Sequence, residues 1–151
     1  MDKTDINLLE QLLYKIDKEE VLSQLKNIDN SLLLHYFAAN YNWNNGFDVP
    51  SVIVENEACD LGTGLLMFHN ADGYRLLENS DEVSSSSLVE WKDFLSKVYN
   101  KITKLEFKTQ NISFDPELSK IQKYKLKKNN PNVSDILISK SPGEVIDVPK
   151  I

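Results

Sequence analysis

The sequence predicts an all-α, single-domain protein, either a helical bundle or a helical-repeat-like array of about six or seven helices. Three observations predict this fold class. Apolar residues recur every three or four positions along most of the chain. Residues that favour helix N-termini precede several of these stretches. A chain of 151 residues with 41% hydrophobic residues is large enough to form one core.

Three helices are predicted within the first 41 residues. The first covers about residues 4–16, and the second covers about 18–28 after a capping box formed by Asp17 and Glu20. The third begins after Asn30 or Ser31 and ends near Tyr41. Because this third helix is apolar around most of its circumference, we expect it to lie at the centre of the fold.

The helical pattern breaks between Asn40 and Asp48, a stretch rich in asparagine. Asn45-Gly46 predicts a tight turn with a positive φ. Pro50 is then expected as the first residue of a short helix over about 50–56, and Asp60 is expected to cap a helix over about 61–71.

Glycines shape the expectations for this part of the chain. Gly62 and Gly64 disfavour the first turn of the 61–71 helix, and we expect close approach of another helix to offset that cost. Gly73 is expected to end the helix in the left-handed conformation. Tyr74 to Leu77 would add one further turn, and residues 79–87 are predicted to be a loop.

Two helices and a tail are predicted for the remainder. Ser87 and Glu90 form a second capping-box pattern at the start of a helix over about 88–106. An irregular segment over 107–115 precedes a helix over about 116–128. The predicted organisation is therefore a helical domain over residues 1–128 and a C-terminal tail over 129–151 that docks on the domain or stays loose.

Charge and composition limit the function classes. The formal net charge is −6, and the chain has one cysteine, Cys59. Residues 1–98 carry 7 Lys and Arg against 17 Asp and Glu, whereas residues 99–151 carry 10 against 6. The acidic body argues against nucleic acid as a partner and favours a basic protein partner. We expect no membrane segment and a cytoplasmic location, because no long apolar run is present.

A lysine cluster over residues 120–128 stands apart from this acidic body. Five lysines and Tyr124 occupy the segment. They would either bind an anion or form a solvated helix end, where lysine favours the negative pole of the helix dipole.

One segment, Asn40 to Gly73, concentrates aromatic and polar side chains. As a recognition surface it would use Trp43 as an aromatic anchor with amides and carboxylates around it. As a structural corner it would bury the indole and use the polar groups as caps. The candidate binding residues are Asn42, Trp43, Asn44, Asn45, Asp48, Asp60 and Asp72.

A catalytic site is the alternative for the same segment. It would combine Cys59, Asp60 and His69, with the cysteine near a helix start where its pKa can fall. The two histidines lie 34 positions apart, so no pair of metal ligands has helical spacing. We therefore expect no catalytic residues, no metal and no cofactor.

Two stretches resemble a known family. His35 to Phe47 and Asn56 to Phe68 are similar to the signature of a bacterial family, domain-of-unknown-function family 4274. Matching positions in the signature are Asn42, Trp43, Gly46, Cys59, Asp60, Leu61, Gly62, Thr63 and Phe68. Asn44 and Asn45 stand where the signature has acids, and Gly64 stands where it has alanine, which weakens any metal or general-base role at the turn.

The resemblance covers about residues 30–78 and implies no specific activity. Small proteins similar to this family look like neighbours of bacterial toxin systems, so the resemblance implies an immunity role. Three hypotheses follow: a protein-binding domain that neutralises a partner such as a toxin, a helical adaptor with no dedicated site, and a small enzyme. We expect the first of these, with the partner's identity and the oligomeric state left open.

Overall fold

The computed structural model describes residues 2–151, and the one remaining residue of the predicted 1–128 domain, Met1, lies outside that range. Over the described part of the chain the fold is all-α, as predicted. Nine α-helices are present there: α1 Lys3–Glu10, α2 Lys18–Lys26, α3 Ser31–Asn40, α4 Asp48–Glu55, α5 Leu61–Asn70, α6 Tyr74–Glu78, α7 Ser80–Ser84, α8 Val89–Thr103 and α9 Lys120–Asn129. A π-helical turn over Gln11–Lys15 extends α1, and 3₁₀ turns cover Trp43–Asn45 and Asp135–Leu137.

Helices α3 and α5 form the centre of the core. Residues 33–38 of α3 are buried without interruption, as are residues 61–65 of α5. The two helices pack on each other, α8 packs on α5, and α2 packs on α4. The central position predicted for the third helix is confirmed, because a helix that is apolar on all sides is stable only when neighbours surround it.

Helix α7 corrects the predicted loop over residues 79–87. Asn79 caps this short helix by accepting a hydrogen bond from the backbone N–H of Glu82 at 3.2 Å. Val83 anchors the helix in the core. The serine-rich sequence predicts a loop because only two residues mark this helix, the cap Asn79 and the buried Val83. No periodic apolar pattern surrounds them.

The boundaries of three other helices also differ from prediction. Helix α4 begins at Asp48, so Pro50 is its third residue. The predicted Ser87–Glu90 capping box does not form, and α8 ends at Thr103, two residues before Leu105 with its φ of 55°. Helix α9 begins at Lys120, after a complete capping box that was not predicted.

The α5 terminus corrects the role predicted for Gly73. Asp72, with φ 67°, takes the left-handed position, whereas Gly73 has a helical φ of −63°. The backbone N–H groups of Gly73 and Asp72 donate to the carbonyls of Phe68 and His69 at 2.8 and 3.1 Å, which is a Schellman motif. Gly73 is needed for space instead, because a Cβ there would lie 2.5 Å from the Phe68 carbonyl oxygen.

Close approach explains Gly62 and Gly64, although the neighbour is not a helix. A Cβ on Gly62 would lie 1.9 Å from the Ile112 carbonyl oxygen, and one on Gly64 would lie 2.4 Å from the Phe107 ring. The irregular segment over residues 107–112 therefore packs directly against the first turn of α5.

Residues beyond α9 lie against the helices. Leu137 and Ile138 are fully buried, and an isolated parallel bridge joins Ile112 to Glu144. Within the described range 2–151, no helix has the length and apolar character needed to cross a membrane.

Candidate functional site

The turn after α3 is built by local hydrogen bonds. Asn42 caps the 3₁₀ turn by accepting from the backbone N–H of Asn44 at 3.0 Å. Gly46 takes the predicted positive φ, at 98°. The Tyr41 hydroxyl donates to the Gly46 carbonyl at 2.8 Å, and burial together with the charge of Asp48 raises the Tyr41 pKa to about 12. The turn is therefore held in one shape from both ends.

Trp43 is half-buried at the tip of this turn. Its ring lies 5.4 Å from Tyr41, 6.1 Å from Phe47 and 5.6 Å from Phe94, measured between ring centroids. Its indole N–H is buried, and no acceptor for it exists among residues 2–151. One side of the indole therefore belongs to an aromatic cluster, and the remainder lines the surface.

A cleft of about 650 Å³ opens beside Trp43. We call it the Trp43 cleft; it is formed by the Trp43 turn, the α5–α6 junction and the start of α8. Its lining residues are Trp43, Phe47, Asn70, Ala71, Asp72, Arg75, Ser87, Leu88, Val89, Glu90 and Trp91. Leu88 and Val89 are 62% and 55% exposed, so large apolar side chains face solvent at the edge of an aromatic floor.

Trp91 fixes that floor. Its indole N–H donates to the Ala71 carbonyl at 2.7 Å, which ties α8 to the end of α5. The Arg75 guanidinium lies over the Trp91 ring at 5.1 Å from the centroid, an arrangement that stabilises both groups.

The rim of the cleft is acidic. Asp72 and Glu90 are exposed, and the one basic group among the lining residues, Arg75, already forms ion pairs with Glu82 and Asp72. The neighbouring depression beyond Phe47 is lined by three acidic residues, Asp48, Glu90 and Asp93, and by two lysines, Lys18 and Lys97. The cleft thus presents more negative than positive charge, which favours a cationic ligand.

The other candidate residues on the turn lie outside this cleft. Asn42 and Asn45 line a second cleft, of about 400 Å³, between the turn and the N-terminal helices. Asp48 pairs with Lys18 at 2.9 Å, and Asn44 is exposed on the turn. The structure brings only Trp43 and Asp72 together at the Trp43 cleft.

Asp60 serves the fold. Its side chain is fully buried and accepts four hydrogen bonds, at 2.6 to 3.1 Å, from the backbone of Gly62, Asn111 and Ile112 and from the Thr109 hydroxyl. An ionised carboxylate has about four acceptor positions, so none is left for a partner. The contact with a partner predicted for Asp60 does not fit this position.

The three groups of the catalytic alternative have separate environments. Cys59 is buried, and burial raises its thiol pKa to about 12, so it is not a ready nucleophile. A hydrogen bond of 2.8 Å links His69 Nε2 to the Leu137 carbonyl, and its ring stacks on Phe114. The four donors to Asp60 include neither of these side chains.

Sequence reasoning missed Leu88 and Val89 as surface residues. Leu88 falls within the helix predicted over about 88–106, but its backbone is not helical. No local pattern separated them from the buried residues of α8, where the adjacent Phe94 and Leu95 both face the core. Within the described residues, no group of three or more His, Cys, Asp or Glu side chains is arranged to hold a metal ion.

Comparison with known proteins identifies one related family. Residues 29–103 match the model of the family described as Domain of unknown function (DUF4274). The match runs from the start of α3 to the end of α8 and includes every residue that lines the Trp43 cleft. No curated protein and no solved structure matches the chain.

Proposed function

We propose a function for this chain, whose residues 29–103 belong to the family described as Domain of unknown function (DUF4274). It is a non-catalytic, cytoplasmic protein-binding domain of bacterial type. Its partner is a protein, and the Trp43 cleft receives a basic segment of that partner.

The observation that carries this proposal is the exposed apolar edge of the cleft. Leu88 and Val89 expose more than half of their surface beside the rings of Trp43 and Trp91. Single exposed apolar residues are ordinary, but two aliphatic side chains next to two indoles form a patch of the kind that protein interfaces bury. Tryptophan at the centre of such a patch is typical of an interface hot spot.

Charge defines the partner. Asp72 and Glu90 stand at the rim, and the residues up to the end of the family match carry a large excess of acidic side chains. A partner segment with lysine or arginine beside an apolar side chain would pair its positive charge with the acidic rim. Its apolar side chain would pack on the aromatic floor. Attraction between opposite charges would mainly raise the association rate and exclude acidic competitors.

Neutralisation of a bacterial toxin is the specific role we propose. A small acidic protein with no catalytic duty can inhibit a basic toxin by covering its surface. The resemblance to proteins beside toxin systems suggested this role, and the acidic rim adds a physical reason for it.

The test uses two leucines of equal exposure. Leu88 lies in the cleft, whereas Leu105 lies beyond the end of α8, and both are 62% exposed. The product of the adjoining gene is expressed with the chain, and binding is measured by titration calorimetry. We expect Leu88→Ala to weaken binding more than about fivefold and Leu105→Ala to leave it unchanged.

Toxicity supplies a second readout. If the role is immunity, the adjoining product arrests growth alone, the wild-type chain restores growth, and Leu88→Ala restores it less well than Leu105→Ala. Equal effects of the two substitutions on affinity would refute the cleft as the binding surface.

A further inference from the structure

Asn40 holds residues 149–151 by their backbone. Its side-chain N–H₂ donates to the Pro149 carbonyl at 3.0 Å, and its side-chain oxygen accepts from the Ile151 N–H at 3.1 Å. These two backbone groups flank Lys150, and they are the pair that a neighbouring parallel strand would bond. The Asn40 side-chain amide therefore makes the two hydrogen bonds that the edge of a neighbouring parallel strand would make.

The contact does not depend on the side chain between these groups. Lys150 is exposed, and the Tyr14 hydroxyl adds a third backbone contact by donating to the Ile151 carbonyl at 3.0 Å. Any extended segment presents the same carbonyl and N–H at the same spacing, so recognition of this kind tolerates many sequences.

The groove continues beyond the segment that fills it. Tyr14 and Asn40 also line the second cleft, of about 400 Å³. Most of its lining residues are apolar, and Asn42, Asn45 and Lys18 also line it. A longer strand could thus extend from the Asn40 contact into a cleft that offers apolar surface and further amides.

One observation indicates that the occupant can be replaced. The tail is shallowly held, since Val145 and Val148 are 67% and 39% exposed and only Ile146 and Ile151 of this segment pack against the core.

We infer that Asn40 and Tyr14 form a second binding site, which takes an extended peptide segment of a partner protein through its backbone. Residues 149–151 occupy this site in cis and compete with that segment. The site is independent of the Trp43 cleft, so either inference can fail without the other.

The probe is a fluorescein-labelled peptide with the sequence of residues 145–151, capped at both ends, and binding to the full chain is followed by anisotropy. A tethered tail acts at an effective concentration near the millimolar range. The double variant Ile146→Ala/Ile151→Ala, which loosens the tail, should therefore bind the probe about tenfold more tightly than wild type. The matched variant Val145→Ala/Val148→Ala should bind like wild type.

Backbone recognition is tested without altering the protein. Methylation of the amide nitrogen at the Ile151 position of the probe removes the N–H that Asn40 accepts from, and binding to the loosened chain should be lost. The same methylation at the Lys150 position, whose N–H is not one of the groups that Asn40 contacts, should have little effect. Tyr14→Phe should weaken binding by a few fold, and Leu88→Ala should leave it unchanged. Absence of binding to the loosened chain, or equal effects of the two methylations, would overturn the inference.

Discussion

Two tryptophans line the Trp43 cleft, but only one of the indole N–H groups has an acceptor. Trp91 donates to the Ala71 carbonyl, whereas the buried Trp43 N–H has no partner among the described residues. Removing the donor of a buried hydrogen bond costs about 1–3 kcal/mol. We therefore expect the indole N–H of Trp91, but not that of Trp43, to contribute to the stability of the fold.

Replacing each indole by phenylalanine separates these roles. Trp91→Phe should lower the free energy of unfolding by about 1–3 kcal/mol more than Trp43→Phe does, because it leaves the Ala71 carbonyl unpaired. Urea unfolding of both variants measures the difference, and the same ring change in each serves as the internal control. Equal losses would show that the Trp43 N–H has an acceptor in solution.

Asp60 and Asp72, two aspartates of the candidate site, also differ in their contribution to stability. Asp60→Asn places an N–H₂ group against backbone donors, and we expect a loss of more than about 2 kcal/mol in the free energy of unfolding. Asp72→Asn, at an exposed left-handed position that asparagine also tolerates, should change it by less than about 0.5 kcal/mol. Similar losses in both variants would contradict the structural role assigned to Asp60.

The sequence predicted the cap that Asp60 provides but not its burial. A cap is a local event, decided by residues 60–62 alone. The other three donors come from Thr109, Asn111 and Ile112, about fifty positions away. No periodic pattern marks that irregular segment, so its contact with Asp60 required the tertiary structure.

At the scale of elements, the contact between the first turn of α5 and residues 107–112 leaves no space for a side chain at position 62. Helix propensity alone predicts that Gly62→Ala stabilises α5 by about 1 kcal/mol. The Ile112 carbonyl at 1.9 Å from the new Cβ reverses the sign, and we expect a net loss of about 2 kcal/mol. Thermal or urea unfolding checks this, and a gain in stability would show that the segment yields.

Elements with long periodic patterns were predicted well, and short capped turns were not. Helices α3, α5 and α8 present several apolar residues in register, whereas α7 depends on one cap and one buried valine. The start of α9 was misplaced because Asp115-Pro116 resembles a helix start, while Ser119 and Gln122 form the actual capping box.

At the scale of the whole molecule, the buried His35 and the partly buried His69 make the stability of the fold depend on pH. Burial lowers the pKa of both His35 and His69 below 6.5, against smaller opposing effects of the Asp60 charge and the Leu137 carbonyl. The unfolded chain therefore binds more protons near that pH. The stability that the two neutral histidines contribute is fully present above pH 6.5. It is lost as the pH falls from 6.5 toward their pKa values in the folded chain.

Unfolding free energies at about pH 7.5 and about pH 5.5 test this. The wild-type chain should lose stability on acidification, and His69→Gln, whose amide can still donate to the Leu137 carbonyl, should lose less. An identical loss in the variant would show that His69 does not contribute to the pH dependence.

The central claim is that the Trp43 cleft binds a partner protein. A photo-crosslinking amino acid placed at position 88 or at position 105, in chains expressed in the native cells, tests it most directly. We predict a discrete cross-linked protein at position 88 that is absent at position 105, although the two sites are equally exposed. No product at position 88, or the same products at both positions, would contradict the claim.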